Sequence, residues 1–361
     1  MVRSTTTTRL MDASIRIILD GQASSGAYIA SPNFPSYRFA WLRDGSYCSL
    51  AMDAVGHRDS SERFHDWVAS VIQSQESRIH EIVSRRSAGE PLGETEMLPT
   101  RYNLDGTIER EDDDPWPNFQ LDGYGTWLFA IESHFRGDLP VRFLGAVALA
   151  AEYILATWSL PCYDYWEEFG DRVHTSTLAS LAAGLGSAGR LLGRDDLAAE
   201  AESVMATIRH SCIVDGRFAK GIEDARVDAS LLSLATPFNL VDATDPVMLN
   251  TVEAIRGELA SPTGGIRRYV GDTFYGGNPW IMLTAWLGWH QRRAGAAGGA
   301  EQAWVESHAG ERNALAEQIL TEPQAPDLVS YWIGKWGPVA DPLLWSHAKY
   351  ILMTTESELT E

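Results

Sequence analysis

From His174 to Leu192 the chain reads HTSTLASLAAGLGSAGRLL, and after a short GRDD it resumes as LAAEAESVMATIRHSC up to Cys212. In both runs apolar residues return every three to four positions, the spacing that lines them up on one face of an α-helix. The same spacing runs along most of the chain. It predicts helices at 9–20, 40–56, 59–82, 122–135, 140–158, 174–192, 196–212, 228–236, 245–259, 278–294, 299–312 and 342–354. Breakers separate them: GDLP at 137–140, LGRDD at 192–196, ATDP at 243–246 and AGAAGG at 294–299. Strand signals are sparse and confined to short stretches such as GRFAKGI at 216–222.

About twelve helices in short-linked consecutive pairs fit six helical hairpins. Closed in a ring, these form an all-α fold, an (α/α)6 barrel, with the more apolar helix of each pair expected inside. Loops gathered at one end of such a barrel make a pocket. The two longest non-helical stretches, 84–121 and 313–341, are functional candidates for that reason. No unit repeats at a fixed period, which disfavours an open helical solenoid. GLGSAG at 184–189 has the spacing of a dinucleotide-binding turn, but a helical run precedes it and no strand, so helix packing is expected there. REDDD at 110–114 lacks the spacing and glycine of a calcium-binding loop and reads as a solvated acidic loop.

Charge narrows the partners. Twenty-nine basic residues face forty-nine acidic ones, a net charge of −20. Such a surface repels phosphate backbones and anionic lipid, so neither nucleic acid nor a membrane is an expected partner. A neutral substrate is compatible with it. The amino-terminal stretch has no apolar run of signal-peptide length. No run approaches the ~20 apolar residues of a membrane span. Cys48, Cys162 and Cys212 are odd in number and widely spaced, which points to a reducing cytoplasm. No cysteine pair or histidine cluster has metal-ligand spacing, so no metal or cofactor is expected. Thirteen tryptophans remain to be explained, and several stand beside polar groups: Trp41 in WLRD, Trp116 in DPWPNFQLD, Trp166 in YWEE. Flat rings cover the C–H faces of a sugar, while planar carboxylate, amide and guanidinium groups bond its hydroxyls.

Five stretches read together carry the chemistry: YRFAWLRDGS (37–46), WPNFQLDGYG (116–125), DYWEEFG (164–170), RRYVGDTFYGGNPW (267–280), and LAEQ (315–318) with DPLLWSHA (341–348). In order and spacing they resemble glycoside hydrolase family fifteen, the glucoamylase family, and the resemblance covers almost the whole chain. Its members carry an (α/α)6 catalytic domain and remove glucose from non-reducing ends of α-linked glucans with inversion. The resemblance implies that Glu167 is the general acid and Glu317 the general base. It implies that Arg43 and Asp44 clamp the 4- and 6-hydroxyls of the terminal glucose, and that Glu168 contacts substrate near the leaving group. Trp41, Trp116, Trp280 and Trp345 would form pocket walls, and Trp166 would belong to the substrate-binding set. Gln120, Asp122, Asp164 and Arg268 would be polar supports or substrate contacts. Tyr37 would stand near the catalytic centre, with Phe274 in the pocket beside it.

The residues fit those roles physically. An inverting hydrolase needs one protonated carboxyl at the glycosidic oxygen and one carboxylate ~6.5–9.5 Å away that activates water on the opposite face. The aromatic rings around Glu167, and the neighbouring Asp164 and Glu168, would raise its pKa. This chain departs from the family pattern in three ways. Ala316 stands where proline is common before the base, Glu322 in LTEPQ is a rival base, and Phe274 stands where tyrosine is common. Residues 1–361 leave no room for a starch-binding module or an amino-terminal β-sandwich beside the catalytic domain. The expected activity is an exo-α-glucosidase on short gluco-oligosaccharides, with α-1,6 linkages favoured because DTFY resembles isomaltose-cleaving relatives. Maltose or trehalose cleavage is the enzymatic alternative, and a non-catalytic sugar-sensing domain the other.

Overall fold

The computed structural model describes residues 4–109 and 116–359, so the acidic run at 110–114 lies outside the described residues. The chain forms α1 (Thr5–Asp20), α2 (Leu42–Ala54), α3 (Arg58–Ser74), α4 (Glu76–Ser87), α5 (Asp122–Phe135), α6 (Val141–Thr157), α7 (Thr175–Leu192) and α8 (Asp195–Ser211). It continues with α9 (Pro246–Leu259), α10 (Ile281–Arg293), α11 (Gly299–Ser307), α12 (Pro326–Trp336) and α13 (Leu344–Leu359). Local chemistry sets several ends. Asp245 caps α9 by accepting from the amides of Val247 and Met248, with Pro246 in the first turn. Gly193, at φ 63°, ends α7 in the left-handed region that glycine enters without strain.

Six elements close an inner ring. In order around it, α2 packs on α5, α5 on α7, α7 on a 3-10 turn at Ala229–Leu234, that turn on α10, α10 on α13, and α13 back on α2. Outside stand α1, α3, α6, α8, α9 and α11, each against the inner ring or a ring neighbour. This is the expected (α/α)6 barrel, with five corrections. The predicted 59–82 helix is two, broken at Gln75, where no glycine or proline marks the bend and the apolar spacing carries straight through. The predicted helix at 228–236 is a single buried 3-10 turn, and that at 299–312 ends at Ser307. The 313–341 stretch holds the unexpected helix α12. Finally, burial and not apolar content separates inner from outer helices. The inner α2 buries Arg43, Asp44, Ser46 and Ser49, whereas the outer α6 is built mostly from apolar residues.

Close packing of the ring explains the glycine-rich run in α7. A Cβ on Gly184 would stand 2.6 Å from the Cα of Gly125 on α5, so the two helices touch backbone to backbone there. GLGSAG is therefore a helix-packing surface. Two short antiparallel ribbons complete the fold, β1 (Ala40–Trp41) with β2 (Arg101–Tyr102) and β3 (Ile213–Val214) with β4 (Arg217–Phe218). Among the described residues, no helix is long and apolar enough to cross a membrane.

Candidate active site

The segments that lead into the inner helices meet at one end of the barrel. There they enclose a cavity of about 320 Å³. Arg43 and Asp44 come from the first turn of α2, Trp345 from that of α13, and Trp280 immediately precedes α10. Pairing of β1 with β2 sets Arg101 opposite Trp41. The Arg101 guanidinium, held by Glu109 at 2.6 and 2.8 Å, lies 3.9 Å from the Trp116 ring centroid and so fixes that wall. A bridge from Trp280 to Gln318 brings in Glu317, whose amide donates to the Ala340 carbonyl at 2.8 Å.

The acid loop is built around Asp164. Its Oδ1 accepts the amides of Trp166 at 2.9 Å and Glu168 at 3.0 Å, and its carbonyl accepts the Glu167 amide at 3.0 Å. Its Oδ2 takes a bond from Lys220 at 2.7 Å, and Lys220 also reaches Asp228 at 2.5 Å. Asp228 in turn accepts the Trp166 indole N–H at 2.9 Å. Burial raises the Asp164 pKa, but the Lys220 and His174 charges and these bonds outweigh it and hold the carboxyl below its usual range. Inside this frame Glu167 sits at φ 63° and Phe169 at φ 54°, both in the left-handed region that costs a non-glycine residue energy and persists only when the surroundings fix it.

The turn sends the two glutamates to different partners. Glu167 accepts the Trp41 indole N–H at 2.5 Å. Glu168 accepts the Tyr269 hydroxyl at 2.5 Å and pairs with Arg268 at 3.3 Å. Glu317 accepts the Tyr37 hydroxyl at 3.0 Å. Burial pushes Glu167 up to about 7, against the charges of Arg43 and Arg101 and the Trp41 bond. Burial pushes Glu317 further, to about 8, against the Tyr37 bond and the Arg268 charge. Asp44, beside Arg43 at 3.2 Å, is raised by burial to about 6.

Of the residues singled out from sequence, Tyr37, Trp41, Arg43, Asp44, Trp116, Trp166, Glu167, Glu168, Arg268, Phe274, Trp280, Glu317 and Trp345 all line this one cavity. Gln120, Asp122 and Asp164 do not. Asp122 bonds Arg43 at 3.0 Å from behind, and Gln120 donates to the Asp164 carbonyl, so these three stand as buried supports. Glu322 lies outside the cavity lining and accepts from Thr263 at 2.9 Å. Sequence reasoning missed Phe34, Tyr165, Trp332, Lys335 and Trp336 in the lining, and Arg101, Lys220 and Tyr269 behind it. The aromatics of YWIGKW at 331–336 were a usable signal, as was the rarity of lysine, which occurs only at 220, 335 and 349.

Several polar atoms of the lining are buried and unsatisfied by other protein groups: Arg43 Nε, Glu317 Oε2, and the indole N–H of Trp116, Trp280 and Trp345. Donors and acceptors so placed among rings suit a polyhydroxylated ligand. Among the described residues, no group of three or more His, Cys, Asp or Glu side chains could hold a metal ion.

The profile of the glycosyl hydrolases family 15 matches residues 10–327. An isomaltose glucohydrolase from Kribbella flavida is 37% identical over 351 residues, covering 94% of this chain and 90% of its own length. Among solved structures, a glycosidase in complex with glucose has a TM-score of 0.93 at 34% identity, covering 99% of this chain and 100% of its own. A bacterial glucoamylase complexed with acarbose shares the fold, with a TM-score of 0.76 at 21% identity over 96% of this chain and 55% of its own.

Proposed function

Because the chain belongs to glycosyl hydrolase family 15, and is thus a glycoside hydrolase, we propose that it is an inverting exo-α-glucosidase. It releases β-glucose from the non-reducing end of short α-linked gluco-oligosaccharides, with isomaltose preferred. The observation that carries this reading is the presence of Glu167 and Glu317 in one cavity together with the buried Arg43 and Asp44. The similarity to an isomaltose glucohydrolase supports the linkage.

In this mechanism the terminal glucose enters first and meets the Arg43–Asp44 pair, a planar donor beside a planar acceptor suited to adjacent hydroxyls. Glu167 gives its proton to the glycosidic oxygen. Glu317, ionised and oriented by Tyr37, draws a proton from water, which attacks the anomeric carbon from the face opposite the leaving group. One displacement with one attacking water inverts the configuration. Glu168, tied to Arg268 and Tyr269, contacts the substrate beside the departing oxygen. Phe274 has no hydroxyl to compete for Tyr37, so the Tyr37 proton is committed to Glu317. Residues 1–361 act as one glucoamylase-like catalytic domain. We place the enzyme in the cytoplasm, on the support of three free, buried thiols at Cys48, Cys162 and Cys212.

The test is glucose release from isomaltose, maltose, trehalose and longer dextran and starch chains, compared per non-reducing end. Isomaltose should give the highest kcat/KM, and disaccharides and trisaccharides should exceed polymer. A preference for trehalose would overturn the linkage, and absence of glucose from every substrate would overturn the activity.

A further inference from the structure

The cavity has a floor and a mouth. The buried side chains of the lining, among them Arg43, Asp44, Arg268, Glu317 and Trp345, each at most 7% exposed, make its floor. The mouth is lined by α12, which contributes the half-buried Trp332 and Trp336 and the exposed Lys335 and has no fully buried side chain of its own. Trp336 meets Trp116 edge-on, ring centroids 6.1 Å apart. Trp332 stands edge-on to Phe274 at 5.2 Å, stacks on Tyr275 at 6.3 Å, and donates to the Thr273 carbonyl at 2.9 Å. The Lys335 ammonium lies 4.9 Å from the Trp336 ring centroid and 5.4 Å from that of Trp332, and among the described residues no carboxylate pairs with it.

An exo-acting site takes the terminal glucose to its floor and leaves the displaced sugar at its mouth. Resting on the α-glucosidase reading, we propose that α12 is the leaving-group site. Trp336 and Trp332 give ring faces to the C–H surface of the departing glucose, and Lys335 donates hydrogen bonds to its hydroxyls. Two indoles flanking an ammonium make an amphipathic surface that matches a sugar ring, apolar across its face and polar at its edge. The helix is tied to the segment at 273–277, through Trp332 to Thr273 and the Ala325 amide to the Gly276 carbonyl at 3.0 Å, and that segment carries Phe274. The leaving sugar is thereby read on the same structural unit that lines the catalytic centre.

Two measurements test this. The first compares isomaltose with α-glucosyl fluoride, whose leaving group is a single atom that reaches nothing on α12. Trp336→Ala should lower the ratio of kcat/KM for isomaltose to that for the fluoride about tenfold, and Lys335→Ala about threefold, the scale of one aromatic contact and one hydrogen bond. Equal losses on both substrates, or no loss on either, would overturn the assignment. A wild-type enzyme that cleaves neither would overturn the α-glucosidase reading itself. The second uses the scarcity of lysine: Lys220 and Lys349 are 3% and 0% exposed, so Lys335 is the one lysine open to an amine reagent, and peptide mapping separates its signal from that of the terminal amine. In a Glu317→Gln enzyme, saturating isomaltose should slow reductive methylation of Lys335 severalfold, as read by mass spectrometry. An unchanged labelling rate would contradict the proposal.

Discussion

Glu167 and Glu317 are lifted in the same direction by the same cause, burial, and each accepts a bond that favours its anion, from Trp41 and Tyr37 respectively. Local electrostatics therefore does not by itself divide acid from base, and the division rests on the family pattern. A leaving group that needs no proton separates the roles. Glu167→Gln should lose about 10²–10³ in turnover on isomaltose but about tenfold or less on α-glucosyl fluoride, whereas Glu317→Gln should lose about 10²–10³ on both. Reversed results would exchange the two roles. The pair also sets the pH dependence. One carboxyl must be protonated and the other ionised, so kcat/KM should peak between about 7 and 8, falling below as both protonate and above as both ionise. Tyr37→Phe removes a donor that stabilises ionised Glu317, so it should move the pair's titration to higher pH. It should also cost more activity than the ~0.5–1.5 kcal/mol of an ordinary hydrogen bond. An unshifted profile would leave Tyr37 only a packing role.

The loop from Tyr163 to Gly170 shows how an element sets a residue's function. Lys220 bridges Asp164 and Asp228, and those two carboxylates hold the backbone and the Trp166 ring that present Glu167. Removing the cation leaves two buried carboxylates unpaired. Lys220→Met should thus destabilise the fold by about 3–5 kcal/mol in denaturant unfolding, and lower kcat in the fraction that remains folded. At the helix level, Gly184→Ala must push α7 away from α5, and a loss of about 1–3 kcal/mol is expected, measured the same way. Sequence made these elements legible to different degrees. Long periodic helices such as 122–135 and 174–192 were read to within a residue, because the three-to-four spacing of apolar residues is sustained over several turns between clear breakers. The 3-10 turn at Ala229–Leu234 read as a helix, since a short wholly buried run has the same composition either way. Helix α12 went unread because none of its side chains is fully buried, so its aromatics, half-buried or exposed beside the cavity, leave no buried stripe. The partners of the acid loop were equally hidden: Lys220 lies 56 residues from Asp164, and only the closed ring brings them together.

At the scale of the whole molecule, ring closure was legible from the count and spacing of helices, while the lining of its open end was legible only through motifs matched in order. The barrel keeps a group of charges under low exposure at that end, and stability should register it. Unfolded glutamates titrate near ~4.3, whereas Glu167 and Glu317 in the fold stand at about 7 and 8. A raised folded pKa means that the folded chain holds its proton longer, so this contribution is fully present below about pH 4 and is lost as pH rises through 7 and 8. Wild type should therefore lose thermal stability over that interval relative to Glu167→Gln or Glu317→Gln, each with one ionising carboxyl fewer. Parallel Tm curves for wild type and variants across pH 5–9 would contradict the burial argument. The central claim, that one acid and one water-activating base act on opposite faces of an α-linked terminal glucose, is tested most directly by proton NMR of the sugar first released from isomaltose. The account predicts β-glucose, appearing before mutarotation mixes the anomers. Initial release of α-glucose would contradict it.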